Sequence, residues 1–233
     1  MNKDRPKASN VTESAATPKA TIGRLSLYLR HIENLFQSGQ ETISSNKLGE
    51  ALDISDAQVR KDLGYFGPIG HPGVGYKISQ LREKLRAVLG TNRDWNVALI
   101  GLGNLGRALF GYGGFQKRGF LITALFDQDP AVVGTVHANL VVHHISELSS
   151  LTRELGLQLA ILAVPTHAAS EVAARVQAAG IVGVLNFAPT RLTVPKDLSV
   201  VSVDLGSELE RLAFEVNRRL IPSDDDSPAP TID

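Results

Sequence analysis

Three glycines in the spacing G-x-G-x-x-G directly follow the short apolar run Val97–Ile100. Where such a run is a strand and a helix comes next, the first glycine makes the sharp turn and the second lets a pyrophosphate approach the backbone. The third lets the helix pack closely on the strand, and free backbone N–H groups at the positive helix end hold the anion. The pattern predicts a phosphate-binding loop whose cofactor-binding residues are Gly101, Gly103, Asn104, Leu105 and Gly106.

Short apolar runs alternate with helical segments over the second part of the chain. They are Val97–Ile100, Leu121–Phe126, Leu159–Val164, Val182–Leu185 and Val200–Val203. Near-continuous apolar strands are typical of a parallel sheet that is covered by helices on both faces. We therefore expect an α/β fold with a doubly wound parallel sheet, followed by a last helix over Gly206–Leu220.

A carboxylate stands at the end of the second of these strands. Asp127 lies 26 positions after Gly101, about where a dinucleotide site places the acid that binds the adenosine ribose. Such a carboxylate accepts both ribose hydroxyls and repels a 2′-phosphate, so Asp127 favours NAD(H) over NADP(H). The alternative is that Asp127 only caps the following turn, Gln128–Pro130.

The next two strands end in loops that should border the nicotinamide half of the ligand, because ligands of such sheets lie outside the carboxyl ends of the strands. The residues concerned are Val164, Pro165, Asn186 and Phe187. Prolines also end strands for purely structural reasons, and that alternative stays open for Pro165 and Pro189.

The first 90 residues have a different pattern. Helical apolar spacing over 20–38 is followed by a short helix (45–52), a tight connection, and a third helix (56–66) that Ser55 and Gln58 open as a capping box. Two short helices around so small a turn match a helix-turn-helix. A glycine- and proline-rich stretch before Tyr76 then favours a β-hairpin or wing, and a fourth helix spans 79–89.

Length and composition fit a folded protein of one large domain or two small ones. The 233 residues are 43% hydrophobic, include no cysteine, and contain no apolar stretch of the ~18 residues that span a bilayer. We expect a cytoplasmic protein with no disulfide, thiolate metal site or membrane anchor. The expected boundaries are a disordered arm (1–19), a winged-helix domain (20–90), a nucleotide-binding domain (91–204), a C-terminal helix (205–221) and a disordered tail (222–233).

Several of these motifs occur together in one known family. In chain order they are Arg24–Arg30, Gln58–Gly67, Gly73–Tyr76, the glycine run, Asn186–Pro189 and Val203-Asp204. From about Ala20 to Leu220 the chain resembles the Rex-type redox-sensing transcriptional repressors. The resemblance implies a homodimer with N-terminal winged-helix domains, NAD(H)-binding Rossmann domains and a terminal helix exchanged between subunits. It also implies that NAD+ permits binding to a palindromic operator and that NADH releases it.

The resemblance makes the third helix the recognition helix. Its outer side would carry Gln58, Arg60, Lys61 and Tyr65, where Arg or Lys reaches guanine edges or phosphates and Gln reads adenine. The wing would contact the minor groove or its flanking phosphates through Gly73, Gly75, Tyr76 and Lys77. Relatives commonly carry a basic residue just before Gly-Val-Gly-Tyr, where this chain has His71-Pro72, and Lys77 is the candidate substitute.

The resemblance also implies a redox switch. Its members are Arg30 at the end of the first helix, Tyr112 after the glycine-loop helix, and Asp204 after the last strand. In the family the carboxylate pairs with the tyrosine in one state and with the arginine in the other. Without the resemblance, Asp204 reads as an ordinary N-cap, and the family's aromatic residue after it is replaced by Leu205.

The competing interpretation is an enzyme, either an NAD-dependent dehydrogenase or a CoA- or nucleotide-binding enzyme with a helical N-terminal domain. Among the six histidines, His167 is the only plausible proton donor near the expected ring pocket, and no second catalytic partner is evident. Once the winged-helix region is set aside, little chain remains for a substrate domain. We therefore assign no catalytic residue and no metal site.

Overall fold

The computed structural model describes residues 18–71, 73–194 and 197–220, and the chain divides into two compact units between Arg93 and Asp94. The expected tail, and all but the last two residues of the expected arm, lie outside the described residues. Lys19 already belongs to the first helix. None of the helices in the described ranges has the length and hydropathy required to span a bilayer.

The first unit contains four helices and one small sheet. They are α1 (Lys19–Gln37), β1 (Thr42–Ile43), α2 (Ser45–Glu50), α3 (Asp56–Gly64), β2 (Tyr76–Lys77) and α4 (Ile78–Val88). Their core is built from buried side chains of every helix, among them Leu25, Ile32, Leu48, Leu63 and Leu81. Two of the α1 positions with helical spacing, Ile22 and Phe36, are 44% and 45% exposed and lie outside this core.

Serine caps fix both helices of the helix-turn-helix. The Ser44 hydroxyl accepts from the Lys47 N–H at 3.1 Å, and the Ser55 hydroxyl accepts from the Gln58 N–H at 3.2 Å. The expected capping box at Ser55 is only half formed, because the Gln58 side chain does not return to the backbone of the cap. The turn between α2 and α3 includes Asp53 in the left-handed region, where Asp and Asn are tolerated.

The wing differs in detail from the expected hairpin. Strand β2 pairs antiparallel with β1, a strand that the sequence did not indicate, with Ile43 opposite Tyr76. Before β2, a tight turn joins His71 to Gly75 by an isolated bridge. Gly75 has φ +88° and lies so close to β1 that a Cβ would come within 2.5 Å of the Ile43 carbonyl oxygen, so only glycine fits there.

A buried carboxylate joins α3 to α1. Asp62 is fully buried and accepts from Arg24 Nε at 2.5 Å, from Arg24 Nη2 at 2.7 Å and from the Tyr28 hydroxyl at 2.9 Å. On its own helix, Gln58 Nε2 donates to it at 2.8 Å. Burial and the bond to Asp62 raise the pKa of Tyr28, so the hydroxyl remains a donor. This network sets the position of α3 against the rest of the unit.

The second unit is an α/β domain. It contains β3 (Trp95–Ile100), α5 (Asn104–Phe110), β4 (Phe120–Asp127), β5 (Val136–His137), β6 (Leu140–His144), α6 (Leu148–Leu155), β7 (Leu159–Leu162), α7 (Thr166–Ala178), β8 (Gly183–Asn186), β9 (Ser199–Ser202) and α8 (Leu205–Leu220), with short 3-10 turns before β4 and α6.

The sheet has the order β5-β6-β4-β3-β7-β8-β9. Six strands run parallel, and only the edge strand β5 is antiparallel to its neighbour β6. The chain moves outward from β3 through β4 to β6 and then returns to β7 on the other side of β3, so the order reverses between β3 and β7. In such sheets the ligand crevice lies at this reversal, outside the carboxyl ends of the strands.

Both faces of the sheet are buried at the central strands, as their continuous apolar runs predicted. The edge strand β9, which the run Val200–Val203 predicted to be buried as well, is largely exposed, with Val201 63% exposed. Ala98 and Ile100 of β3 pack into one core cluster, while Val97 and Leu99 pack into the cluster on the other face. Alternate side chains of a strand point to opposite faces, so both faces must be covered by other elements. The central strand is therefore fixed in register, and its last residue delivers the chain to the glycine run.

Helix α8 is the exception to this burial, since none of its residues is buried. Leu209 is 67% exposed, Leu212 56% and Val216 44%, and these three side chains lie on one side of the helix. A single chain thus leaves the apolar side of a 16-residue amphipathic helix uncovered, an unusually large apolar surface for a lone subunit.

Replacing Asp62 by Asn should lower the free energy of unfolding of the first unit by about 3 kcal/mol, because it removes one charge from a buried ion pair and leaves Arg24 uncompensated. Urea unfolding followed by circular dichroism at pH 7 measures the difference. Asp53→Asn is the matched control, since Asp53 is exposed and Asn tolerates its positive φ. A control variant as unstable as Asp62→Asn would contradict the assignment.

The cost of Asp62→Asn should also depend on pH. Burial raises the pKa of Asp62, but the hydrogen bonds from Arg24, Tyr28 and Gln58 outweigh it and lower the pKa below its ordinary 3.8. Because the folded pKa lies below the unfolded one, the stabilisation is complete above about pH 4 and is lost as the pH falls through the folded value. The deficit of the variant should shrink between pH 4 and pH 2, and a constant deficit would exclude the ionised carboxylate as its cause.

Candidate functional site

The three glycines of the loop after β3 differ in what an added Cβ would meet. Gly101 has φ +94°, and a Cβ there would lie 2.6 Å from the Ala163 carbonyl oxygen. A Cβ on Gly106 would collide with the carbonyl oxygen of Gly101, whereas a Cβ on Gly103 would meet no atom within 4 Å. Gly101 and Gly106 therefore allow the close packing of turn and helix, and Gly103 is the position left open to a ligand.

The open side of the loop suits a phosphate. Gly103 is the N-cap of α5 and is exposed, as are Asn104 and Leu105 in the first turn. Backbone N–H groups at such a turn have no partner inside the helix and are available to an anion. The residues present therefore fit the pyrophosphate of a dinucleotide, and an added Cβ at Gly103 would occupy the space that it needs.

Arg107 braces the loop, a role that the sequence analysis missed. Its Nη1 donates to the Leu102 carbonyl at 3.0 Å, and its Nη2 donates to Asn104 Oδ1 at 2.9 Å. The Asn104 side chain is thereby engaged in holding the loop. A basic residue in the first turn after a glycine run is the signal that could have indicated this role.

Asp127 contacts the glycine loop directly. Its Oδ2 accepts from the Leu102 N–H at 2.7 Å, and its Oδ1 accepts from the N–H groups of Gln128 and Asp129 at 2.7 and 2.9 Å. The turn cap that was the alternative interpretation is therefore present. The same bonds hold the half-buried carboxylate beside the glycine loop.

The loops after β7 and β8 differ in how far their candidate ligand residues are exposed. Val164 lies against Gly101, with its Cγ1 3.0 Å from the position of a Cβ there, and Pro165 is the exposed N-cap of α7. Asn186 is fully buried, and its Nδ2 donates to the carbonyls of Ala188 and Thr190 at 3.1 and 3.0 Å.

The side chain of Asn186 is therefore used by its own loop. Its Oδ1 also accepts from the Ala188 N–H at 3.0 Å. Asn186, an expected cofactor ligand, is instead buried and bonded within its own loop, so its side chain shapes that loop. Phe187, the next residue, is half-buried and borders the surface.

The three residues of the expected switch are all exposed, and one is placed differently than expected. Arg30 lies within α1, seven residues before its last residue, and not at the end of the helix. Tyr112 is 51% exposed, with its ring edge-on to Phe115 at 5.1 Å between centroids. Asp204 Oδ1 accepts from the N–H groups of Gly206 and Ser207 at 2.9 and 3.3 Å, so the carboxylate caps α8.

Helix α3 exposes two of the expected DNA-reading residues, Arg60 and Lys61, and buries Val59 and Leu63. Tyr65, just after the helix, is 42% exposed. An open groove of about 610 Å³ lies between α3 and the wing, and its lining includes Arg60, Gly73 and Gly75. Lys77 lies on β2 and is exposed.

Two other residues expected to contact DNA are turned inward. Tyr76 is 8% exposed, and its ring packs so tightly on Gly70 that a Cβ there would lie 2.8 Å from it. Gln58 is half-buried, and its amide donates to Asp62. Tyr76 is thus a core residue, and Gln58 belongs to the buried network rather than to a freely exposed surface.

Features of an enzyme are weak by comparison. His167 is exposed in the first turn of α7. Over the described ranges, no group of three or more histidines or carboxylates is arranged to hold a metal ion.

Comparison with known proteins assigns a family to both parts of the chain. Residues 16–64 match a family described as "Putative DNA-binding protein N-terminus", and residues 92–190 match the family "CoA binding domain". The redox-sensing transcriptional repressor Rex of Carboxydothermus hydrogenoformans is 45% identical over 201 residues, which cover 86% of this chain and 97% of that protein.

Solved structures agree with this relation. The crystal structure of the Rex-family repressor RSP in complex with β-NAD+ and operator DNA has a TM-score of 0.84 and 32% identity, over 88% of this chain and 95% of that one. The structure of RSP in complex with β-NADH has a TM-score of 0.79 and 30% identity, over 88% and 97%. These relatives are repressors, which decides against the enzyme interpretation. The chain belongs to the Rex family of redox-sensing transcriptional repressors.

Proposed function

We propose that this protein is a homodimeric repressor of the cytoplasm that binds a palindromic operator and leaves it when NADH binds. The observation that carries the proposal is the presence, on one chain, of an open glycine loop at the reversal point of a parallel sheet and of a helix-turn-helix with basic residues on its exposed side. The complexes of RSP with NAD+ and operator DNA and with NADH support it.

The nucleotide site consists of the glycine loop and the strand ends around it. The N–H groups around Gly103 and the start of α5 would hold the pyrophosphate, and Asp127 would accept the hydroxyls of the adenosine ribose. Val164, Pro165 and Phe187 border the place of the nicotinamide ring. A 2′-phosphate would meet the Asp127 carboxylate, so NAD(H) is the cofactor and NADP(H) is disfavoured.

The DNA-binding face is the exposed side of α3 together with the wing. Arg60 and Lys61 would enter the major groove, while the turn from Gly73 to Gly75 and the side chain of Lys77 would meet flanking phosphates. Two such faces in a symmetric dimer bind two half-sites, so the operator is palindromic and its half-sites are about 34 Å, or a multiple of that, apart.

The dimer is supported by the uncovered side of α8. Leu205, Leu209 and Leu212 are each more than half exposed within one chain. A second copy would bury these side chains if it received the helix, which is the exchanged arrangement of the family. Burying one such side chain contributes about 1.5–3 kcal/mol, so the apolar side of α8 provides a strong reason to associate.

The redox signal is one of charge. The oxidised nicotinamide ring is cationic and the reduced ring is neutral, so a carboxylate near the ring interacts differently with the two forms. A unit charge at about 4 Å is worth roughly 4 kcal/mol at a surface-like dielectric, and two sites per dimer exceed the roughly 5.5 kcal/mol that inverts a two-state equilibrium. Asp204 is the proposed sensor, with Tyr112 and Arg30 as its alternative partners.

The direct test is an electrophoretic shift of a palindromic duplex that the protein itself enriches from a random pool. NADH should release the duplex at concentrations at which NAD+ leaves it bound. CoA, which also contains adenosine and a pyrophosphate, is the comparison ligand and should release nothing. Equal release by NADH and NAD+ would contradict redox sensing.

Two glycine variants separate ligand binding from folding. Gly103→Ala should weaken NADH binding at least tenfold, because the new methyl fills space beside the pyrophosphate. The methyl meets no protein atom, so the loss of stability should stay near the ~1 kcal/mol by which alanine is a poorer N-cap. Gly106→Ala should instead lower the melting temperature, because its methyl collides with the Gly101 carbonyl. Calorimetric titration and thermal unfolding measure the two effects, and an unchanged NADH affinity in Gly103→Ala would place the phosphate elsewhere.

The variant Asp204→Asn distinguishes the proposed role of Asp204 in the redox switch from its role as the N-cap of α8. Asn caps helices about as well as Asp, so α8 should keep its start while the charge is lost. We expect operator binding to persist and the difference between NADH and NAD+ in the shift assay to fall at least tenfold. If discrimination survives in Asp204→Asn, the residue is a cap and nothing more.

A further inference from the structure

The exposed side of α3 contains an ion pair, Asp56 with Arg60, of which the function proposed above uses only Arg60. Asp56 Oδ2 lies 2.5 Å from Arg60 Nη1, one helical turn along, and the same Nη1 donates to Ser45 Oγ of α2 at 3.1 Å. Arg60 and Asp56 remain 54% and 43% exposed. The guanidinium is therefore held from two helices at once while its other edge faces the surface.

We propose that Asp56, together with Ser45, is a positioning residue that presents Arg60 to a guanine base and keeps it away from the phosphates. Arg60 then determines which operator is bound, and Lys61 contributes affinity for any duplex. This division of labour rests on the proposed DNA-binding function and adds to it the residue that sets specificity.

The geometry of the guanidinium is the first argument. Both bonds use Nη1, and the parallel N–H pair of Nε and Nη2 takes part in neither. A parallel N–H pair is the arrangement that donates to O6 and N7 of guanine together. A guanidinium that is already oriented loses less conformational freedom on binding than a freely rotating one.

Charge is the second argument. The hydrogen bond from Arg60, which outweighs a small effect of desolvation, lowers the pKa of Asp56, so the acid is ionised at neutral pH. The pair then has no net charge, and its carboxylate would repel a phosphate that approached Arg60. Base edges in the major groove offer dipoles instead of full charges, so they remain acceptable partners for the oriented arginine.

The neighbouring polar side chains of α3 are less suited than Arg60 to reading a base. Lys61 is exposed and carries a compact charge on a flexible stem, which suits phosphates but not paired recognition. Gln58, the other residue expected to read a base, donates its amide to the buried Asp62. Of the polar side chains expected to read bases from α3, Arg60 is therefore the one whose donors are both oriented and exposed.

The test compares two duplexes by fluorescence anisotropy, with the full-length protein and NAD+, between 50 and 200 mM salt. One is the palindromic duplex that the unaltered protein enriches from a random pool, and the other is a scrambled duplex of the same composition. Asp56→Asn should bind the scrambled duplex more tightly, with a salt slope steeper by about 0.9 per subunit as one more phosphate contact forms. Its preference for the enriched duplex should fall roughly tenfold.

Control variants exclude folding and general charge as causes. Glu83→Gln removes the same charge from an exposed site on α4 and should change neither quantity more than about twofold. Asp56→Glu keeps a carboxylate four residues before Arg60 and should retain the preference. When Arg60 is already alanine, adding Asp56→Asn should change the binding of either duplex no more than Glu83→Gln does. The reason is that Asp56 acts through Arg60.

An Asp56→Asn effect that persists in the Arg60→Ala background would overturn the proposal and leave simple repulsion of DNA as the role of Asp56. Full preference in Asp56→Asn would also overturn it, while leaving the proposed function intact. Equal binding of the two duplexes by the unaltered protein would instead overturn the proposed function, and the specificity inference with it.

Discussion

The contact between Gly106 and the carbonyl of Gly101 sets where this protein can bind a ligand. It brings the first turn of α5 against the end of the central strand, a distance that no side chain would permit. Because β3 is buried on both faces and paired on both edges, the loop is held in one place by the whole sheet. Arg107 and Asp127 then fasten the loop from either side by hydrogen bonds to Leu102. The loop proposed to bind the anion is thus preorganised by the fold.

A comparable constraint governs the first unit. There the buried Asp62 connects α3 to α1 through Arg24 and Tyr28, so α3, the proposed recognition helix, cannot tilt without breaking several charged hydrogen bonds. The exposed side of α3 takes no part in this network, and Arg60 on that side is oriented by hydrogen bonds to Asp56 and Ser45. One side of α3 provides rigidity, and the other carries the residues proposed to read the operator. The glycine loop proposed to bind the nucleotide and the helix proposed to read DNA are therefore each held in place by the fold.

Local sequence patterns predicted most of the architecture because they reflect interactions between residues that are close in the sequence. The spacing of Gly101, Gly103 and Gly106 and the continuous apolar strands predicted the parallel sheet and its glycine loop. Two short helices around a small turn predicted the helix-turn-helix. The short strands β5 and β6 were missed because they are partly exposed and rich in histidine, which hides any apolar period. The inward turn of Gln58, Tyr76 and Asn186 could not be predicted, because it depends on partners brought together only by the fold. Asp62 was missed for the same reason, since Arg24 is 38 residues away.

The uncovered side of α8 has a consequence for mixed populations of subunits. If each chain must lend this helix to another, no subunit can act alone, and an altered chain will be incorporated beside an intact one. A subunit with a defective α3 but a sound α8 would then occupy one half of a dimer and deprive its companion of the second half-site. Such an allele would be genetically dominant over the intact copy in the same cell.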